Sequence, residues 1–163
     1  MKQKTSFVPH QLTKNVKLLH KVAVIHQGRV LILKRAAQSF SRPSCWDLPG
    51  GNSEWPNDLT QNQANLHQAD IVKELKEETG LSFQPSHFSF AQLVFLRTFF
   101  ETDRQVYTII LGWRTKLQDS AEITLSLEHT DFAWVKQAQL DDYDFGGQAG
   151  EFVKEVIQRA SQT

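Results

Sequence analysis

Two apolar, β-branched runs bounded by polar residues make up HKVAVIHQGRVLILKRA, residues 20–36, on either side of Gln27-Gly28. That pattern predicts a β-hairpin closed by a tight turn. SFSRPSCWDLPGG, residues 39–51, predicts a loop entering a short strand that stops at Pro-Gly-Gly. FSFAQLVFLRTFFE (88–101) and QVYTIILGWRTKL (105–117) predict two more strands around the polar turn 102–104. Residues 129–140 predict another strand with a polar exit. The period changes twice. Residues 66–79 read as a helix, with Asn65 as N-cap and Gly80 as C-terminal stop. Residues 147–160 place Phe152, Val153, Val156 and Ile157 at helical spacing. Residues 52–64 are rich in Asn and Gln with little periodicity, a polar loop insert. The order strands, helix, strands, helix predicts an α+β fold with helices packed on a mixed sheet.

A length of 163 residues suits one domain spanning 1–163 with a single core. Lys plus Arg equals Asp plus Glu at 18 each, which argues against an extended, sequence-independent nucleic-acid surface. A small phosphorylated ligand held by local cations stays compatible. The one cysteine, Cys45, can form no intrachain disulfide and has no His at motif spacing. The six histidines are scattered and carry no role. No apolar run suits a signal peptide or a membrane span, so a cytoplasmic enzyme or binding domain is expected.

Glu74, Glu77 and Glu78 fall within a turn and a half of the first helix, just before Gly80. Relative to Asp70, 100° per residue puts Glu74 at roughly 40°, Glu77 at roughly 340° and Glu78 at roughly 80°. Ile71, Leu75 and Val72 fall at roughly 100°, 140° and 200°. The acidic and apolar stripes therefore lie on different sides, with Glu78 at the border. A solvated face, offset by Lys73 and Lys76, is the plain reading. Yet clustered carboxylates repel, and they gain little at the negative end of a helix. A hard divalent cation resolves both conflicts, provided a phosphate site lies nearby.

WDLPGGNSE (46–54) followed by KELKEETGL (73–81) resembles the Nudix hydrolase box. Glu74, Leu75, Glu77, Glu78, Gly80 and Leu81 match its second half, and Gly51 matches its opening glycine. The hairpin ending in LKRA and the late segment EHTDFAWV (128–135) also fit. The resemblance implies an α/β/α sandwich around a mixed sheet. It also implies Mg²⁺- or Mn²⁺-dependent hydrolysis of a nucleoside diphosphate linked to another group, with a small nucleotide as partner. It assigns metal binding to Glu74, Glu77, Glu78 and the Gly50 carbonyl, and handling of the attacking water to Glu74. Glu128 is the candidate late glutamate, a ligand or base.

Two departures stand out. Lys73 replaces the box Arg and lies twenty-two positions after Gly51, eight more than the box allows. The middle Glu of the box is replaced by Asn57 counted forward, or Asn65 counted back, so an Asn–Lys73 contact is expected in place of a charged pair. That leaves a Nudix-fold binding or regulatory domain as the alternative function. Lys34 and Arg35 end the hairpin where family members often hold phosphate. Trp46 and Trp55 flank the glycines and are candidates to stack on a base, although Trp46 alternates with Leu48 and suits core packing equally well. Arg42, Arg97 and Arg104 could each meet a phosphate but read first as surface charges, and Trp113 and Trp134 read as core.

Overall fold

The computed structural model describes residues 15–54 and 67–162. Among these, six strands, β1 (Val16–His26), β2 (Arg29–Arg35), β3 (Trp46–Asp47), β4 (Leu93–Glu101), β5 (Val106–Lys116) and β6 (His129–Val135), form one sheet. The helices are α1 (Gln68–Thr79) and α2 (Glu151–Ser161). The strand order is β3-β2-β1-β5-β4, with β6 on β2; β1 and β5 run parallel and the other pairs antiparallel. The sheet is mixed, as expected.

The predicted hairpin opens early. Gln27 and Gly28 take positive φ, 49° and 71°, as a tight turn requires. β1 and β2 then pair only at Ile25–Val30 and His26–Arg29 before splaying. The chain from Trp46 to Ser53 fills the gap. Trp46 and Asp47 pair with β2. Pro49 O then accepts from Val22 N at 2.9 Å, Gly51 O from His20 N at 2.9 Å, and Ser53 N donates to Leu18 O at 2.8 Å. Pro-Gly-Gly is thus a splint inside the sheet. Gly50 has φ 136°, and a Cβ there would sit 2.2 Å from the His20 carbonyl oxygen. Only glycine fits so close to another backbone.

Side-chain parity along the central strands builds two cores. Val22, Val24, Leu31 and Leu33 face α1 and pack with Ile71, Leu75, Phe88 and Trp113. Ala23, Val30, Ile32 and Ile110 face α2 and pack with Val153, Val156 and Ile157. The result is helix, sheet, helix.

Buried polar bonds tie the splint to the first core. Trp113 Nε1 donates to His20 Nδ1 at 2.9 Å, so His20 Nε2 carries the proton and donates to Ser53 Oγ at 2.7 Å. The His20 ring lies 5.8 Å from that of His67, and burial pushes its pKa down to about 4. His20 therefore touches the chain on both sides of residues 55–66.

Some boundaries differ from expectation. α1 is preceded by His67 in the left-handed region (φ 58°); Asn65 lies outside the described residues. Of the predicted strand 88–101, the first residues leave the sheet. Ser89 closes a capping box with Gln92 on a 3-10 turn, while Phe88 is fully buried under α1. Phe88 supplied the apolar signal, but to the core rather than to a strand face. β6 stops at Val135 because residues 137–142 coil into a 3-10 helix that buries Leu140. α2 begins at Glu151, since a 3-10 turn over 147–150 precedes it.

Candidate active site

α1 buries Ile71, Leu75, Glu78 and Thr79, one continuous stripe that includes an acid. The border position of Glu78 is what turns it inward. Its Oε2 accepts from the Gly50 N–H at 2.7 Å, so the last turn of α1 is fastened to the splint. Burial raises the Glu78 pKa to about 7, against the opposing pull of Lys21 and the Gly50 N–H. One turn earlier, the Glu74 carboxyl lies against Gly51, where a Cβ would come within 2.3 Å of it. Burial raises the Glu74 pKa too, helped by the charges of Glu77 and Glu128.

Glu74, Glu78 and Glu128 line one cavity of about 500 Å³ beside the two glycines. Glu128 reaches it from the residue before β6, where its carbonyl accepts from Ala36 N at 2.8 Å. Glu77 is exposed and lies outside that lining, although its charge acts on Glu74. The His129 Nε2 is 3.9 Å from Glu78 Oε1. Burial drives His129 down to about 4, so at neutral pH this is a polar contact and not an ion pair.

The facing wall is cationic. Asp47 is fully buried, and its Oδ2 accepts from Lys21 Nζ (2.9 Å), Arg35 Nη1 (3.1 Å) and Arg42 Nη2 (2.6 Å). Its Oδ1 accepts from Leu48 N at 2.8 Å. Burial alone would raise the Asp47 pKa; Lys21, Arg42 and Arg35 overcome it and hold the carboxyl below its ordinary range. Three cations on one carboxylate leave positive charge to spare at the cavity.

Arg42 is therefore no surface charge: its side chain is 10% exposed and also donates to the Phe145 and Trp46 carbonyls. Arg97 pairs with Glu155 on α2. Arg104 lies over the Phe40 ring. Lys34 and Trp46 face away from the cavity for a reason of register. They are cross-strand partners on β2 and β3, one residue out of step with the Leu33–Asp47 pair. Trp46 packs edge-on against Tyr143 at 5.2 Å, with Lys34 Nζ 6.0 Å above its ring. Trp55 and Asn57 lie outside the described residues. Lys73 pairs with Glu54 at 2.7 Å; the expected contact of Lys73 with Asn57 or Asn65 lies outside the described residues. Lys21 and Asp47 are site residues that pattern reading passed over. The available signal was a lysine inside the apolar run HKVAV and the Asp of WDLPGG.

Among the described residues, no group of three or more His, Cys, Asp or Glu side chains stands assembled to hold a metal ion. The donor chemistry nevertheless fits one. Glu74 and Glu78 are hard oxygen donors that burial, and secondarily neighbouring carboxylates, makes hold protons unusually well, protons that a divalent cation would replace.

A sheet bridged by Pro-Gly-Gly, with a glutamate-bearing helix laid against the glycines, frames the candidate site. No family model matches the sequence. The chain is 30% identical over 123 residues to the nucleoside triphosphatase NudI of Escherichia fergusonii, covering 73% of this chain and 81% of that one. Among solved structures it resembles a MutT Nudix hydrolase of Burkholderia pseudomallei (TM-score 0.65, 16% identity, 90% of this chain and 98% of that one). It also resembles the MutT protein of Methanosarcina mazei Go1 (TM-score 0.62, 20% identity, 93% and 97%). The chain belongs to the Nudix hydrolase family and is a hydrolase of phosphoanhydride bonds. Nudix hydrolases generally use divalent metals and act on small nucleotide substrates. Among the described residues no helix is long and apolar enough to cross a membrane.

Proposed function

We propose that this chain is a Mg²⁺- or Mn²⁺-dependent pyrophosphohydrolase that cleaves a nucleoside diphosphate linked to another group, acting in the cytoplasm as a single domain. One observation carries the reading: a carboxylate wall and a cation wall face each other across a cavity large enough for a nucleotide. The relative named as a nucleoside triphosphatase supports nucleoside triphosphates as the first compounds to test.

In this reading Glu74, Glu77 and Glu78 hold the cation with the Gly50 carbonyl, and Glu128 is a further ligand or base. A bound divalent ion offsets charge on the non-bridging and leaving oxygens and makes water more acidic. Glu74 orients the attacking water and takes its proton, a role suited to a carboxyl whose proton affinity is raised by burial and by Glu77 and Glu128. The Gly50 N–H keeps Glu78 aimed at the glycines. Arg35, Arg42 and Lys21 draw the phosphates in, and Asp47 holds their side chains so that little reorganisation is needed.

The test is a panel of nucleoside triphosphates, nucleotide sugars and dinucleotides assayed for phosphate and pyrophosphate with Mg²⁺ or Mn²⁺. Metal-dependent release from at least one compound is expected. A nucleotide that raises Tm yet is never cleaved would make the chain a binding domain instead.

A further inference from the structure

Phe40 is 83% exposed, yet it lines the cavity and its ring is not left to water on both faces. The Arg104 guanidinium lies 3.9 Å from the ring centroid. Arg104 Nη1 is in turn 3.4 Å from Glu101 Oε2, while Glu101 Oε1 accepts from Lys17 at 2.9 Å and Thr108 at 2.6 Å. The loop beneath Phe40 is equally braced. Arg35 Nε donates to the Ser41 carbonyl at 2.8 Å, and Arg42 is fixed on Asp47. Two loops distant in sequence therefore hold a planar cation against one face of an aromatic ring. Among the described residues the other face stays open at the rim.

We propose that Phe40, backed by Arg104, is the shelf on which the substrate's nucleobase stacks while its phosphates lie against Arg42, Arg35 and Lys21. The proposal rests on the nucleotide reading above and adds where the base sits. The order of chemistry supports it. Phe40 is at the rim, Arg42 two residues on joins Lys21 and Arg35 at Asp47, and the carboxylates stand opposite. A nucleotide presents the same succession of base, then phosphates, then bound cation. Trp46 cannot serve, since Tyr143 and Lys34 occupy its surroundings. Stacking reads a π-face and not a hydrogen-bond pattern, so the shelf accepts every base and favours purines by contact area. The Arg104 cation adds attraction through the ring it covers.

The experiment titrates wild type and Phe40→Ala, with Mg²⁺, against non-hydrolysable analogues of ATP and CTP and against inorganic tripolyphosphate. Wild type should bind the nucleotides about tenfold or more tighter than tripolyphosphate, as base stacking on an aromatic ring gives elsewhere. Phe40→Ala should erase that preference and leave tripolyphosphate binding unchanged; Phe40→Trp should restore it. In turnover, KM should rise in Phe40→Ala while kcat stays within about twofold. Equal binding of nucleotide and tripolyphosphate by wild type, or equal weakening of both in Phe40→Ala, would overturn the shelf. Phe40-dependent nucleotide binding without cleavage would uphold the shelf and defeat the hydrolase reading. Cleavage indifferent to Phe40→Ala would do the reverse.

Discussion

The Lys73 ammonium donates to Glu54 Oε1 at 2.7 Å, joining the end of the glycine splint to the residue just before Glu74. Both side chains are about half exposed, at 49% and 62%, so the pair adds little to stability. Its effect is positional: it holds α1 against the strand that carries the glycines. Glu54→Gln is therefore expected to shift Tm by under about 2 °C. It should lower kcat/KM several-fold. Lys73→Gln should do the same, and the double substitution should cost no more than either single one. Additive losses in the kinetic cycle would show that the two residues act separately.

Gly50 and Gly51 are adjacent but should fail differently. A Cβ at Gly50 meets backbone, the His20 carbonyl oxygen, and φ there is 136°. Gly50→Ala should lose on the order of 3 kcal/mol or more of stability. The nearest atoms a Cβ at Gly51 would meet belong to the far end of the Glu74 side chain. That carboxyl can swing away, so Gly51→Ala should fold nearly as well as wild type and lose about a hundredfold in kcat. Denaturant melts and turnover on the same samples separate the two. An active Gly51→Ala protein would mean that Glu74 need not lie where it does.

Much of this was legible in the chain. Glu78 at the border of the apolar stripe, and glycines at the end of a strand, follow from local spacing alone. The cation wall does not. Asp47, Lys21 and Arg42 meet only because the hairpin opens and admits the splint, a pairing that joins residues 26 apart. Lys34 and Trp46 lie off the cavity lining by one step of parity, which depends on the β2–β3 register, and Trp46 takes the core packing its alternation with Leu48 allowed. Lys73 meets Glu54, which is far from it in sequence, so a count along the box could not point to that pair. Phe40 carried no signal at all, since an exposed aromatic in a loop acquires meaning only from Arg104, 64 positions on.

Glu78 makes metal-free stability depend on pH in a direction of its own. Its pKa rises from 4.5 to about 7 on folding, chiefly through burial. The folded state thus binds the extra proton, and the contribution is fully present below 4.5 and lost as pH rises through about 7. His20 and His129, lowered to about 4, act oppositely: theirs is present above 6.5 and lost as pH falls toward 4. Glu78→Gln removes only the first effect, and Gln can still accept from Gly50. Its stability relative to wild type should therefore climb between pH 5 and pH 8, by at most about 3 kcal/mol. Urea titrations in EDTA at the two pH values measure this, and a pH-independent difference would count against a buried carboxyl at this position.

The sharpest test of the acidic helix face is Glu77, because structure and mechanism weigh it differently. It is exposed and outside the cavity lining, so its charge contributes little to folding. Neutralising it removes repulsion from Glu74, and the metal-free melt should stay level or rise slightly. Catalysis should respond in the opposite sense. A cation resting on Glu74 and Glu78 feels Glu77 within the same turn and a half of helix, and a lost ligand contact commonly lowers kcat on the order of a hundredfold or more. Glu77→Gln should accordingly pair an unchanged Tm in EDTA with a large loss of activity and weaker Mg²⁺ binding by calorimetry. Glu74→Gln supplies the comparison, since it alters a residue that does line the cavity. If Glu74→Gln is inactive while Glu77→Gln keeps both activity and metal affinity, the ion is held by Glu74, Glu78 and Glu128, and Glu77 is solvated surface charge. If both substitutions silence the enzyme without lowering Tm, all three glutamates of KELKEETGL act on one cation, and their crowding is a property of the site and not of the fold.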